Sequence, residues 1–464
     1  LENLRDLGHD VQHIPLGASF PTPTQGDMTH AIDALNALPA DHPDLQKARN
    51  NLALTKHALG DLQGALELQE QVLAVLSKTL PADHSDLQTA RHNLAVTRYA
   101  LGDLRGALAI QEQVLALRSK TLPAGHPDLQ SARTNLAKTK ADLGDLAGAL
   151  VLLEKVLGEL SQALPIDHLD LQSARANLAS TKRVLGDLHG AHKLEEKVLE
   201  VLSKRLPNDH PRLQRARQNL ASTKHHLGDL KGALVLQESV LAVFSSVLPE
   251  NHPDLQRSRG QLASTKFALG DLKGAFVLQE QVLAIRSKVL PADHPDLQGA
   301  RSDLARTMRA LGDPEAALKL QEQVLAICAT TLPADHPDLQ RARGDLAATK
   351  SALGDTKGAL ALQEHVLAVC SRTLPNDHPD LHTARSDLAS TQKALGDLKG
   401  ALTLEEQVLA IRLKTLPDDH PDLQWARGNL AITKRELGDL TGALELQQKV
   451  LATISRTLPA DHPY

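Results

Sequence analysis

The chain carries 22 histidines, and half of them keep one spacing: His42, His84, His126, His168, His210, His252, His294, His336, His378, His420 and His462 fall every 42 residues. Imidazole ligates metals and moves protons near neutral pH, so such a ladder first raises metal or acid–base chemistry. Geometry argues against it. Helices pack about 8 to 10 Å apart and metal ligands lie about 2 Å from their ion, so equivalent histidines of successive repeats cannot share one. Turn and capping roles remain. His189 and His192 stand at helical spacing beside neighbours without histidine and add little. Cys328 and Cys370 are also 42 residues apart, too distant for an easy disulfide. Their position holds leucine, arginine, phenylalanine or isoleucine elsewhere, so both read as semi-buried space fillers. No glycine-rich phosphate loop, Gly-x-Ser-x-Gly, His-Glu-x-x-His or Cys-x-x-Cys occurs. Carboxylates recur with the repeat, whereas a catalytic constellation would break it in one place. The expectation is no enzyme, no cofactor and no metal.

Composition narrows the partners. The 464 residues hold 51 Lys and Arg against 56 Asp and Glu, a net charge of −5, with 2% aromatic residues. A general nucleic-acid binder should be basic and offer aromatic stacking platforms, so none is expected. No uninterrupted run of about 18 apolar residues marks a membrane span. Two cysteines make no disulfide framework, and the cytoplasm is the default compartment. The first residue is Leu1, which leaves a processed N-terminus or a targeting signal open.

The 42-residue period must be built by elements that repeat with it. Ten complete repeats run without insertion from about residue 42 to 461, so one array is expected over 38–464, preceded by an aperiodic head, 1–37. In the first repeat Leu45, Ala48, Leu52, Thr55 and Leu59 recur at steps of three and four, the stripe of a helix, here helix A. Asp41-His42-Pro43 signals its start and Gly60 its stop. Asp61 is the expected cap of helix B, about residues 62 to 79, and Asp313-Pro314 in the seventh repeat agrees with that boundary. Helix B carries two stripes, one through Leu66 and Leu73 and one through Ala65 and Val72, so it should be covered on two faces. Gly64, glycine in nine of ten repeats, is read as a point of close helix approach.

Two antiparallel helices per repeat, with Asn-Leu-Ala in helix A, Leu-Gly-Asp at the turn and Ala-Leu in helix B, resemble the tetratricopeptide repeat. The 42-residue length, the Asp-His-Pro-Asp loop and Asn50-Asn51-Leu52-Ala53 resemble its kinesin light chain type more narrowly. The resemblance implies an all-α fold: a right-handed α-solenoid superhelix of ten helix-turn-helix repeats with the A helices on the concave wall. One departure stands out. Arg49, Lys56 and Gln69 occupy places where the ordinary repeat uses large aromatic residues. Arg49 recurs in all ten repeats, a basic residue at Lys56 in eight and glutamate at Glu70 in nine, so an Arg/Lys/Glu ladder between helices is expected. In the fifth repeat it would join Arg217 and Lys224 to Glu238.

For function the resemblance implies a non-enzymatic scaffold or sensor binding an extended peptide or protein on the concave surface. That wall would hold Lys47, Asn50, Asn51, Leu54, His57 and their equivalents. One phase stays polar throughout: Asn51, Asn93, Asn135, Asn177, Asn219, Gln261, Asp303, Asp345, Asp387 and Asn429. In the kinesin light chain type asparagines at this place hydrogen-bond an extended peptide's backbone, and an amide both donates and accepts. The three aspartates depart from that pattern and would favour basic segments. The alternative is a structural protein that joins further copies of itself head to tail into a filament. Its contact would set Ala31, Ile32 and Leu35 of the head, with Leu38, against Leu444, Leu451 and Ile454 of the last B helix.

Overall fold

The structure, a computed structural model, describes residues 38–457. These form twenty α-helices and no strand, ten A helices of 16 residues alternating with ten B helices of 18. The first pair is Pro43–Ala58 and Leu62–Thr79, and the last is Pro421–Glu436 and Leu440–Thr457. The chain divides into two compact bodies between Leu202 and Ser203, within the B helix of the fourth repeat, Leu188–Arg205. In each body a B helix packs on its own A helix and on the A helix that follows.

Local chemistry sets every boundary. All ten A helices start at a capping histidine whose Nδ1 accepts the N–H two residues on, as His42 does from Asp44 at 3.2 Å. That is the role of the histidine ladder as far as His420. Ten glycines end the A helices at φ between 83° and 92°, a conformation open to glycine without a Cβ penalty. An aspartate then caps helix B, Asp61 Oδ1 accepting from Gly64 N–H at 2.9 Å.

The close approach of the two helices belongs to alanines, not to Gly64. Ala53 and Ala65 are both 0% exposed, and their equivalents are buried in every repeat. At Gly64 a Cβ would instead collide with the capping carboxylate of Asp61 and with Lys56 Nζ. The seventh repeat shows how alanine is accommodated. Ala316 keeps the cap bond at 3.0 Å while Asp313 moves to φ −114°, against −77° at Asp61, and Met308 replaces the lysine.

The expected charged ladder takes other partners. Lys224 binds the cap of its own repeat, Asp229, at 2.8 Å, and Arg217 reaches back to Asn208 at 2.8 Å. Glu238 faces the next repeat instead, 3.9 Å from Lys266, as Glu70 meets Arg98 at 2.9 Å. The arginines brace the loop before their own helix. Arg91 donates to the Ala82 carbonyl at 3.3 Å, to which the buried Gln88 also donates at 2.5 Å. Where that loop position is acidic the arginine takes the side chain: Arg259 donates to both oxygens of Glu250, at 2.6 and 3.1 Å.

Cys328 and Cys370 are more deeply buried than expected, each 5% exposed, and burial pushes both thiols up. Among the described residues one helix, Leu230–Val247, is long and apolar enough to cross a membrane, although polar residues such as Lys231 and Glu238 interrupt its apolar run. It packs against the A helices of the fifth and sixth repeats.

Neighbouring A helices approach one another, in the first four repeats and again in the seventh and eighth, more closely than neighbouring B helices do.

Candidate functional site

The wall expected to be concave is the solvent face of the A helices, opposite the buried Leu94 and Ala95 phases. It carries one row of side chains per helical turn. The uniformly polar phase lies on it. Asn51, Asn177 and Asp387 are exposed, and Asn93, Asn135, Asn219, Gln261, Asp303, Asp345 and Asn429 are half-buried. Some amides are engaged across the repeat junction: Asn93 donates to Asn50 Oδ1 at 3.0 Å, and Asn135 Nδ2 lies 3.5 Å from His92 Nε2. Others brace the same wall, Gln218 donating to Ser258 at 3.0 Å and His225 Nδ1 meeting Thr265 Oγ1 at 3.0 Å.

The first body presents an amide row, Asn51, Asn93, Asn135 and Asn177. Beside it stands one aromatic ring, Tyr99, in the His57 phase. Tyr99 bonds Asp142 and lies under Lys138 Nζ, 4.7 Å from the ring centre. Burial and that carboxylate push the Tyr99 hydroxyl up to about 12.

The second body presents Asp303, Asp345 and Asp387 on successive repeats. Partial desolvation among the neighbouring side chains raises all three carboxyls above the ordinary aspartate value, although arginines nearby pull the other way. Asp303 is paired with Arg306 at 2.9 Å, and Arg306 also covers the Phe267 ring at 5.3 Å. Arg306, Arg309 and Arg341 all act on Asp345. Arg306, Arg309 and Arg341 stand in the Leu54, His57 and Lys47 phases expected on this wall, but their joint action on the aspartates was not legible from spacing. Among the described residues no group of three or more His, Cys, Asp or Glu is arranged to hold a metal ion. Ala31, Ile32 and Leu35 lie outside the described residues. Leu444 and Leu451 are 54% and 64% exposed, and Ile454 is half-buried.

Antiparallel helix pairs stacked so that one helix of each pair lines an inner wall define an α-solenoid, whose capping, turn and alanine positions recur at one period. The chain belongs to the tetratricopeptide repeat family. Family patterns described as tetratricopeptide repeat match residues 44–120, 209–288, 254–330 and 338–414, and a second set matches 129–170, 171–212 and 423–464. A putative kinesin light chain of Podosopora anserina with nearly identical TPR-like repeats is 35% identical over 45% of this chain and 99% of its own, with a TM-score of 0.40. The apo quorum sensor NprR of B. thuringiensis is 14% identical over 79% of this chain and 98% of its own, TM-score 0.58. Rap protein complexed with Competence and Sporulation Factor is 13% identical over 80% and 98%, TM-score 0.55. These last two share the fold. No curated protein matches the sequence.

Proposed function

We propose that the chain is a non-enzymatic interaction scaffold or sensor whose inner A-helix wall binds an extended peptide, free or as a segment of a partner protein. The observation that carries this reading is the one inner phase that stays amide or carboxyl in all ten repeats while its neighbours vary. An extended peptide exposes donors and acceptors at regular intervals, and a row of asparagines answers both. The Rap structure, solved with its factor bound, is of the same fold. Asp303, Asp345 and Asp387 select basic segments for the second body, because a cationic side chain stabilises carboxylates that their surroundings hold above the ordinary aspartate value.

The test is calorimetric titration of the full chain with extended peptides that carry or lack lysine and arginine. Replacing the three aspartates together by asparagine should weaken the basic peptides about tenfold or more, while Lys231→Ala on the outer side leaves them unchanged. Equal binding by both variants would remove the inner wall from consideration.

A second reading is head-to-tail self-association. Leu52 is 50% exposed and Leu444 and Leu451 are 54% and 64% exposed, whereas Leu94, of the Leu52 phase, is 2% exposed inside the array. Sedimentation of the full chain against Leu451→Glu distinguishes the two. Assemblies that dissociate on the substitution support self-association, and a concentration-independent monomer ends it.

A further inference from the structure

The tenth repeat departs from the other nine at the foot of its helix pair. In this register helix B carries Val75, Leu117, Val201, Val243, Ile285, Ile327, Val369 and Ile411 in eight repeats. The third repeat has Glu159 there, and the tenth has Thr453, which is shorter and polar. A cavity of about 290 Å³ opens beside it, lined by Asp418, Arg427, Lys449, Ala452, Thr453 and Arg456.

Charge in this cavity is unbalanced. The Arg427 side chain is 6% exposed and donates to Asp418 Oδ1 at 2.6 Å and to Gln424 Oε1 at 3.3 Å. Arg456 approaches the same carboxylate at 3.8 Å, and Lys449 acts on it through space. Three cations thus face one carboxylate. A guanidinium has five N–H donors, so the two bonds of Arg427 leave it capacity for another acceptor.

The molecule itself shows what satisfies such an arginine. In the third repeat Arg133, also 6% exposed, receives the Glu159 carboxylate delivered by its own helix B, and Gln130 donates to the same oxygen at 2.7 Å. Arg427, Gln424 and Thr453 occupy the registers of Arg133, Gln130 and Glu159. The tenth repeat keeps the receiving pair and the lysine, Lys449 standing in the register of Lys155, replaces the Glu159 carboxylate by a smaller side chain, and adds Arg456 on the helix and Asp418 where the third repeat has Ala124.

We infer that this cavity is a carboxylate-binding site, taking from outside the group that Glu159 supplies from within in the third repeat. The carboxylate sits between Arg427, Lys449 and Arg456. It comes either from a peptide, as a C-terminal carboxylate or acidic side chain, or from a free dicarboxylic acid. The site is separate from the inner wall and does not rest on its proposed use.

The experiment titrates the full chain at low salt with succinate, with a short peptide ending in a free carboxylate, and with the same peptide amidated. Saturable binding of succinate and peptide alike identifies a small-acid site, and binding of the free-carboxylate peptide alone identifies a peptide terminus. Either affinity should fall at least about tenfold in Lys449→Gln/Arg456→Gln, which alters only half-exposed or exposed side chains. It should also vanish in Thr453→Glu, which installs the internal carboxylate and should leave the thermal midpoint unchanged or raise it. Absence of saturable binding by any probe overturns the proposal. So does binding that survives Thr453→Glu, or an amidated peptide that binds as well as the acid.

Discussion

Charged side chains that repeat at fixed phases invite the assumption that they pair with one another, yet solvation decides their worth here. Lys224 and Asp229 are 20% and 47% exposed, so their bond contributes under about 1 kcal/mol. The ninth repeat differs. There Lys393 donates at 2.7 Å to Glu405, which is 7% exposed and takes the place of the glutamine found in most repeats. Lys393→Met would leave a buried carboxylate uncompensated and should cost about 3 to 5 kcal/mol in urea unfolding. Adding Glu405→Gln, the neighbours' own residue, should recover most of that loss. A double variant as unstable as the single one would show that the carboxylate is not the cause.

At the scale of the element, a helix boundary in this chain is set by contacts two or three residues long. His294 Nδ1 accepts the Asp296 N–H at 3.1 Å, one of the donors that a helix start leaves without an internal partner. His294→Ala should therefore cost about 1 kcal/mol, and His294→Asp, which keeps an acceptor, should cost little. Thermal unfolding of the two variants checks this, and equal losses would assign the histidine to packing instead of capping. Among the described residues most B helices are bound twice, to the helix before and the helix after, which is why their apolar stripes are two. The first A helix has no earlier B helix against it among the described residues, and Leu52 is correspondingly 50% exposed.

On the scale of the whole molecule, the same repeat lets a property accumulate along a wall. Asp303, Asp345 and Asp387 each hold a raised carboxyl, chiefly through partial desolvation. A carboxyl whose folded value is raised binds protons more tightly when folded, so its ionisation above that value works against folding, and the penalty fades as pH falls. Replacing all three by asparagine should therefore stabilise the chain most at neutral pH. The advantage over the unsubstituted chain should shrink on acidification and disappear below the ordinary aspartate value of about 3.9. Thermal midpoints of both proteins from pH 7 to about pH 3.5 test this, and a constant offset would mean that the carboxyls are not perturbed together. Glu159 behaves oppositely. Burial raises it, but hydrogen bonds from Gln130 and Arg133 outweigh that and hold it low, so its contribution is present above the unfolded value and lost in acid.

By itself the sequence determined the period, the twenty helices and their ends. Each of these follows from contacts within about one helical turn: the His42 and Asp61 caps, the Gly60 stop, the alanines at Ala53 and Ala65. Such contacts are written in residue spacing. Only the tertiary structure decided which charges meet. Arg217 turned to Asn208, nine residues back, Lys224 to its own cap, and Glu238 to the next repeat. Nor did spacing reveal that Gly64 makes room for a carboxylate, that arginines crowd Asp345, or that Thr453 opens a cavity beside Arg427. The physical reason is common to all of them. Long charged side chains reach several partners at similar cost, and the choice among them depends on how two helices cross and what the loop between them offers, which no single helix's periodicity contains.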